Sequence, residues 1–221
     1  GQPRLNGVID IGADEFYRAY ATIDLPAVKT LDSGDICVPG AVVTAAFPDF
    51  FYIESDNRAC GIRVNKTGHT LQTGMRADVL GHPATHANER SIDADDAQQS
   101  DPPNNTGSVS PLIVSNRFMG GCDFGWQPGA TGIWGLNNIG LLVKTNGNVV
   151  EIEPVTAPAL PTWFKIDDGS GRNIKCLVPS GVTISPTWNS VTVTGISSCE
   201  TVGTEIHSLL RVRSQSDIVP R

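Results

Sequence analysis

One arrangement of short strands is written twice in this chain, and that repeat limits the folds open to it more than any other feature. Phe51-Tyr52-Ile53-Glu54 matches Phe164-Lys165-Ile166-Asp167 at an offset of 113 residues, and Ile62-Arg63-Val64 matches Ile174-Lys175-Cys176 at 112. Val79-Leu80-Gly81 matches Val193-Thr194-Gly195 at 114, and Gly40-Ala41-Val42-Val43 matches Gly147-Asn148-Val149-Val150 at 107. The Pro-rich stretch 154–161 absorbs the jump between the first-strand offset and the others. An insertion costs little there, because loop-closure entropy grows slowly with length. The chain reads as a duplication of one five-stranded unit.

Strand character runs along nearly the whole sequence, and no stretch sustains the apolar spacing of an amphipathic helix. The segments are short, rich in Val, Ile, Thr and aromatics, and bounded by Gly, Pro, Asn or Asp. Strands are expected over 36–44, 50–55, 61–65, 75–82 and 90–94, and again over 139–153, 163–167, 173–178, 190–196 and 205–212. Within each unit the alternation sends Phe51 and Ile53 inward and Tyr52 and Glu54 outward, with Phe164 and Ile166 opposed to Lys165 and Asp167 in the same way. A lone five-stranded sheet would leave two open edges, whereas a small barrel closes them. The expected fold is therefore all-β: two tandem OB-like five-stranded barrels with an extended N-terminal arm. No helix is expected after the third strand of either unit, so a loop is expected to plug each barrel.

The boundaries that follow are an arm over 1–27, a first barrel over 28–95, a linker and irregular wrap over 96–134, and a second barrel over 135–221. Residues 95–110 are polar and lack the apolar content to fold alone. Residues 111–142 hold Phe118, Phe124, Trp126 and Trp134 among many glycines and read as a wrap leading into the second barrel.

The run VVTAAFPDFFYIESDNRACGIRV (42–64) resembles a bacterial OB-fold-like repeat of secreted proteins. So do GLNNIGLLVKTNGNVVEIEP (135–154), FKIDDGSGRNIKCLVPSGV (164–182) and VTVTGISSC (191–199). The resemblance implies non-catalytic modules of large extracellular chains, often near carbohydrate-active or β-helical domains. Residues 7–16, GVIDIGADEF, resemble the closing segment of a right-handed parallel β-helix in bacterial surface proteins.

The 221 residues carry a net charge of −7, which argues against a nucleic-acid partner, since phosphate binding takes clustered Lys and Arg. No apolar run approaches the ~20 residues of a membrane-spanning helix, so no membrane insertion is expected. No signal-peptide pattern opens the chain, and Gly1 in place of Met fits a processed product or a fragment. The five cysteines form no C-x-x-C pair, which leaves zinc and thioredoxin-like readings without their spacing. Pairing of Cys176 with Cys199 and of Cys37 with Cys60, leaving Cys122 odd, is the simpler expectation and favours an extracellular or cell-surface location. The competing reading is five small buried hydrophobes.

No catalytic constellation emerges, and neither an enzyme, a cofactor nor a metal is expected. His82 and His86 are four apart, but Pro83 between them argues against the helix such a metal pair needs. The acidic run Asp167-Asp168-Gly169-Ser170-Gly171 suits a hairpin turn better than calcium. Trp126 and Trp134 are candidates for stacking on glycans, with Tyr52 considered beside them, while Trp163 and Trp188 are expected in the core. Residues 1–25 have strand character but no core, so Val8, Ile9, Asp10 and Ile11 are candidates for self-association by strand addition. The expected function is a non-enzymatic secreted structural or interaction protein that self-assembles, possible filament formation included, through its arm. The alternative is a carbohydrate-binding accessory module of a secreted carbohydrate-active enzyme, with polysaccharide as partner.

Overall fold

The structure, a computed structural model, describes residues 19–102 and 106–221. Its first half contains β1 (Ala21–Thr22), α1 (Leu25–Thr30), β2 (Ile36–Phe47), β3 (Phe50–Glu54), β4 (Gly61–Asn65), β5 (Arg76–His86) and β6 (Glu89–Gln99). Its second half contains β7 (Leu112–Ile113), β8 (Leu142–Ile152), β9 (Trp163–Asp167), β10 (Asn173–Leu177), β11 (Ser190–Val202), β12 (Glu205–Arg211) and β13 (Ile218–Pro220). In the first half the strands run β2-β3-β4-β6-β5, and β5 pairs back onto β2. In the second they run β8-β9-β10-β12-β11, and β11 pairs back onto β8. Within each ring the third and fifth strands, β4 with β6 and β10 with β12, pair in parallel and the other neighbours are antiparallel. The fold is all-β, with two closed OB-like five-stranded barrels.

The residues that matched in sequence are the ones that fill the barrels. Phe51, Ile53, Ile62, Val64 and Val79 lie in the first core, and Phe164, Ile166, Ile174, Cys176 and Val193 occupy the same positions in the second. Burial of each such side chain contributes on the order of 1.5–3 kcal/mol. Loop residues plug the barrels as expected: Leu71 in the first, Val182 and Ile184 in the second.

The first strands need a one-residue correction. Pairing puts Val43 opposite Ile53 and Val149 opposite Ile166, so these two valines correspond, at an offset of 106 (149 minus 43). Earlier in the strands, Ile36 and Val143 both face the bend glycine of the fourth strand, at an offset of 107 (143 minus 36). The extra residue sits in a bulge between Val38 and Ala41, where Gly40 takes φ +66 and donates its N–H to Asp78. Gly147 thus corresponds to Ala41, not Gly40. A one-residue slip exchanges the two faces of a strand, so pairing decides what composition left ambiguous.

Two other elements depart from expectation. The short helix α1 is capped by the Asp24 carboxylate on the Ala27 N–H and buries Leu25 and Val28 in the first core. Six residues are too few to display a helical period in sequence. Strand β6 runs to Gln99, past the expected boundary at Asp95, because its polar end remains paired with Ala77–Leu80 of β5. Backbone pairing holds it there where apolar burial does not.

The expected disulfides are absent. All five cysteines, Cys37, Cys60, Cys122, Cys176 and Cys199, are free thiols. Cys176 pairs with Leu210 of β12, and Cys199 with Ser208 of the same strand from its other side. Two strand spacings of ~4.8 Å separate them, beyond the ~7 Å that a disulfide spans between Cα atoms. Cys37 alternates with the core residues Ile36 and Val38 and so faces outward, whereas Cys60 lies inside the core.

The barrels are joined along a buried seam. Leu142 and Ile196 of the second barrel cover Ala45 and Tyr52 of the first, with Phe47 and Phe50 at the edge. The Tyr52 hydroxyl donates to Glu89 Oε1 at 2.8 Å, and the Ser198 hydroxyl reaches Glu89 Oε2 at 2.9 Å from the other barrel. The Leu142 N–H donates to Glu54 Oε2 at 2.8 Å, the Lys29 ammonium to the Ile139 carbonyl at 2.6 Å, and Arg213 to the Thr44 carbonyl at 2.9 Å. The wrap adds Gln127, whose side chain accepts from the Arg90 N–H and donates to the Asn88 carbonyl. Most buried polar groups here find a partner, since an unpaired one costs more than a hydrogen bond returns; Glu54 Oε1 and Thr44 Oγ1 are exceptions.

Candidate functional site

The outer face of the second and third barrel strands differs between the two copies. In β3 every residue from Phe51 to Glu54 is buried, because the outward-facing Tyr52 and Glu54 meet the second barrel. In β9 the alternation is clean, with Phe164 and Ile166 buried and Trp163, Lys165 and Asp167 half-buried. The face covered in the first barrel is open in the second.

A cleft of about 310 Å³ lies on that open face, formed by Trp163, Lys165, Arg172, Lys175, Glu200 and His207 among its lining residues. Lys165 and Lys175 pair across β9 and β10, which puts both stems on the outer face. Their ammonium groups lie 5.3 and 5.4 Å from the Trp163 ring centroid, inside the ~6 Å range of a cation–π contact. Each also meets a carboxylate: Lys165 with Glu151 at 2.7 Å and Lys175 with Glu200 at 2.8 Å. His207 contacts Glu205 at 3.0 Å, and Arg172 donates to the Gly132 carbonyl at 3.1 Å. The cleft thus combines an aromatic face with donors and acceptors whose charges largely cancel.

The first barrel carries a related pair at the edge of the seam. Phe50 and Arg63 occupy the positions of Trp163 and Lys175, and the Arg63 guanidinium lies 3.8 Å from the Phe50 centroid. Trp163 was expected in the core. It lies instead on the outward-facing parity of β9, a placement legible from the position of Phe164 beside it. Trp188 packs as expected against the second core, edge-on to Phe164 at 5.8 Å.

A second surface feature is an apolar groove of about 440 Å³ between the β3–β4 loop of the first barrel and the wrap. Ile113, Leu136 and Phe118 line it at 87%, 91% and 44% exposure, with Arg58 at the rim. Strand β7, which carries Ile113, ends the sheet, so among the described residues its outer edge has no partner strand. The arm candidates Val8, Ile9, Asp10 and Ile11 lie outside the described residues. Trp126 and Trp134 are 52% and 76% exposed, and Tyr52 is fully buried in the seam.

The acidic run at 167–171 is occupied by its own turn. Asp167 accepts from the Gly169 N–H, and Asp168 from the N–H groups of Ser170 and Asn116. His86 contacts Asp93 rather than His82. Among the described residues, no group of three or more His, Cys, Asp or Glu is placed to hold a metal ion.

Sequence reasoning missed the ionisable groups of the seam. Burial raises the Glu54 carboxyl to about 7, opposed by the Leu142 N–H and by Arg58, and its Oε1 has no hydrogen-bond partner. Burial lowers the Lys29 ammonium, opposed by the Glu89 carboxylate near it. The Cys199 thiol is pushed up to about 12 by burial and by Glu89. These groups are enclosed between the barrels, so they govern stability and not surface chemistry. No protein-family model matches the chain, and no curated protein matches it either.

Proposed function

We propose that the chain is a non-enzymatic interaction module that self-associates through its N-terminal arm, with the apolar groove beside β7 as the acceptor. The carrying observation is that groove. Ile113 and Leu136 are almost fully solvated, next to a sheet edge with no partner strand among the described residues. Contiguous exposed apolar surface on a soluble protein marks a docking site, and a free edge accepts an added strand. The arm of a second copy, added as a strand, supplies Ile9 and Ile11 on one face for the apolar positions, with Val8 and Asp10 on the other. Head-to-tail docking builds a filament where its rotation does not close into a ring. The extracellular setting rests on the resemblance of the strand runs alone, since the free thiols remove the cysteine argument for it. The test is the double variant Ile113→Asp with Leu136→Asp, both on largely solvated positions. Self-association that weakens about tenfold or more supports the proposal, and unchanged association contradicts it.

A second reading, a carbohydrate-binding accessory module, is favoured by the exposure of Trp126 and Trp134. Solvated indoles of this kind offer flat apolar faces to sugar rings.

A further inference from the structure

We infer that copies of the chain stack head to tail by repeating the seam between their own barrels, the second barrel of one copy receiving the first barrel of the next. This rests on the self-association reading and adds a second contact to that of the arm. Within the chain, Leu142 and Ile196 of the second barrel lie on Ala45 and Tyr52 of the first. Each of these surfaces has an equivalent in the other barrel. Asp35 and His82 adjoin the pair Ile36–Gly81 as Leu142 and Ile196 adjoin the pair Val143–Gly195. Glu151 and Lys165 pair across β8 and β9 as Ala45 and Tyr52 pair across β2 and β3. The same relationship, applied once more, lays the first barrel of a second copy on the second barrel of the first. Such a contact joins two different surfaces, so it repeats from copy to copy.

The side chains at the equivalent positions decide what holds the contact. The four apolar seam residues are replaced by Asp35 and His82 on one side and by Glu151 and Lys165 on the other. The sharpest exchange is at Arg211. It pairs with Ile196 and lies 5.8 Å from the Phe50 centroid, over which Arg63 also stands at 3.8 Å. The equivalent of Arg211 is Asp93, which pairs with His82. The equivalents of Phe50 and Arg63 are Trp163 and Lys175. Asp93 of one copy therefore comes to Trp163 of its neighbour, where the Lys165 and Lys175 ammonium groups stand 5.3 and 5.4 Å from the ring centroid. A carboxylate meets two ammonium groups where the seam sets two guanidinium groups on one ring. Both lysines keep their own glutamates, Glu151 and Glu200. The contact between copies is thus polar and sets register by charge, whereas the seam is apolar and permanent.

The test reads assembly of the full chain by sedimentation velocity. Lys175→Glu and Asp93→Lys each place like charges across the contact, so each alone should weaken association about tenfold or more. In an equimolar mixture each variant meets the opposite charge on the other, and assembly should return to within about threefold of the parent. That rescue also shows that both variants fold. Where a variant does not fold, Lys165→Glu mixed with Asp35→Lys makes the same exchange. If a single variant assembles as the parent does, or if a mixture of variants that circular dichroism shows to be folded assembles no better than either alone, the stacking is overturned. The arm reading then stands if Ile113→Asp with Leu136→Asp still weakens assembly. A parent chain that stays monomeric overturns both.

Discussion

Gly61 and Gly140 meet across the seam so closely that a Cβ added to either would lie 2.2 Å from the other's carbonyl oxygen. One opens β4 of the first barrel, and the other lies in the approach to β8 of the second. No side chain fits between these backbones, and Gly140 also holds φ +93. Gly61→Ala should therefore push the barrels apart at a well-packed contact, lowering stability by about 1–3 kcal/mol. Gly140→Ala should cost more, because it adds backbone strain. Thermal or urea unfolding measures both, and a change under about 0.5 kcal/mol for either would show that the contact is not tight.

Glu54 makes stability depend on pH in an uncommon direction for a carboxylate. Its folded value of about 7 stands above the ordinary 4.5, so the folded chain holds a proton that the unfolded chain releases. Its contribution is complete below pH 4.5 and is lost as pH rises through 7. At ~1.4 kcal/mol per unit, the loss is about 3 kcal/mol for this enclosed group. Glu54→Gln should flatten that slope and be more stable than the parent at pH 8. Urea midpoints between pH 4 and 8 check this, and identical slopes for the two proteins would contradict it.

The Glu89 carboxylate holds a hydroxyl from each barrel, Tyr52 and Ser198. Tyr52→Phe removes one donor and leaves a buried oxygen underpaired, at a cost of about 1–3 kcal/mol. Ser198→Ala should act similarly. The two effects should couple, since they share one acceptor. A double-mutant cycle measures this, and strict additivity would mean that the network is not shared.

The thiols should react in a fixed order. Cys122 is exposed, Cys37 half-buried, and Cys60, Cys176 and Cys199 are buried. Burial also raises the last three away from the reactive thiolate. A thiol reagent should label Cys122 first, Cys37 slowly and the others only on unfolding, to five in total. Fewer than five thiols in the unreduced, unfolded chain would restore a disulfide.

The duplicated strands were legible because core residues recur at fixed positions: Phe51 with Phe164, Ile53 with Ile166, Ile62 with Ile174. The bulge at Gly40 was not, since one inserted residue leaves composition unchanged and only pairing reveals it. Helix α1 was too short to show a period. The open cleft escaped notice for another reason. Trp163 and Phe50 read alike in sequence, and what separates them is that the second barrel lies on one and not on the other. Docking between repeats leaves little trace in either repeat alone. Its visible mark is the loss of alternation in the burial of β3 against its retention in β9.

The most direct test of self-association is sedimentation velocity, with electron microscopy, on the full chain and on a chain lacking residues 1–18. The full chain should sediment as concentration-dependent polymers that image as filaments, and the shortened chain as a folded monomer. A full chain that stays monomeric at high concentration, or a shortened chain that assembles equally well, would contradict the account.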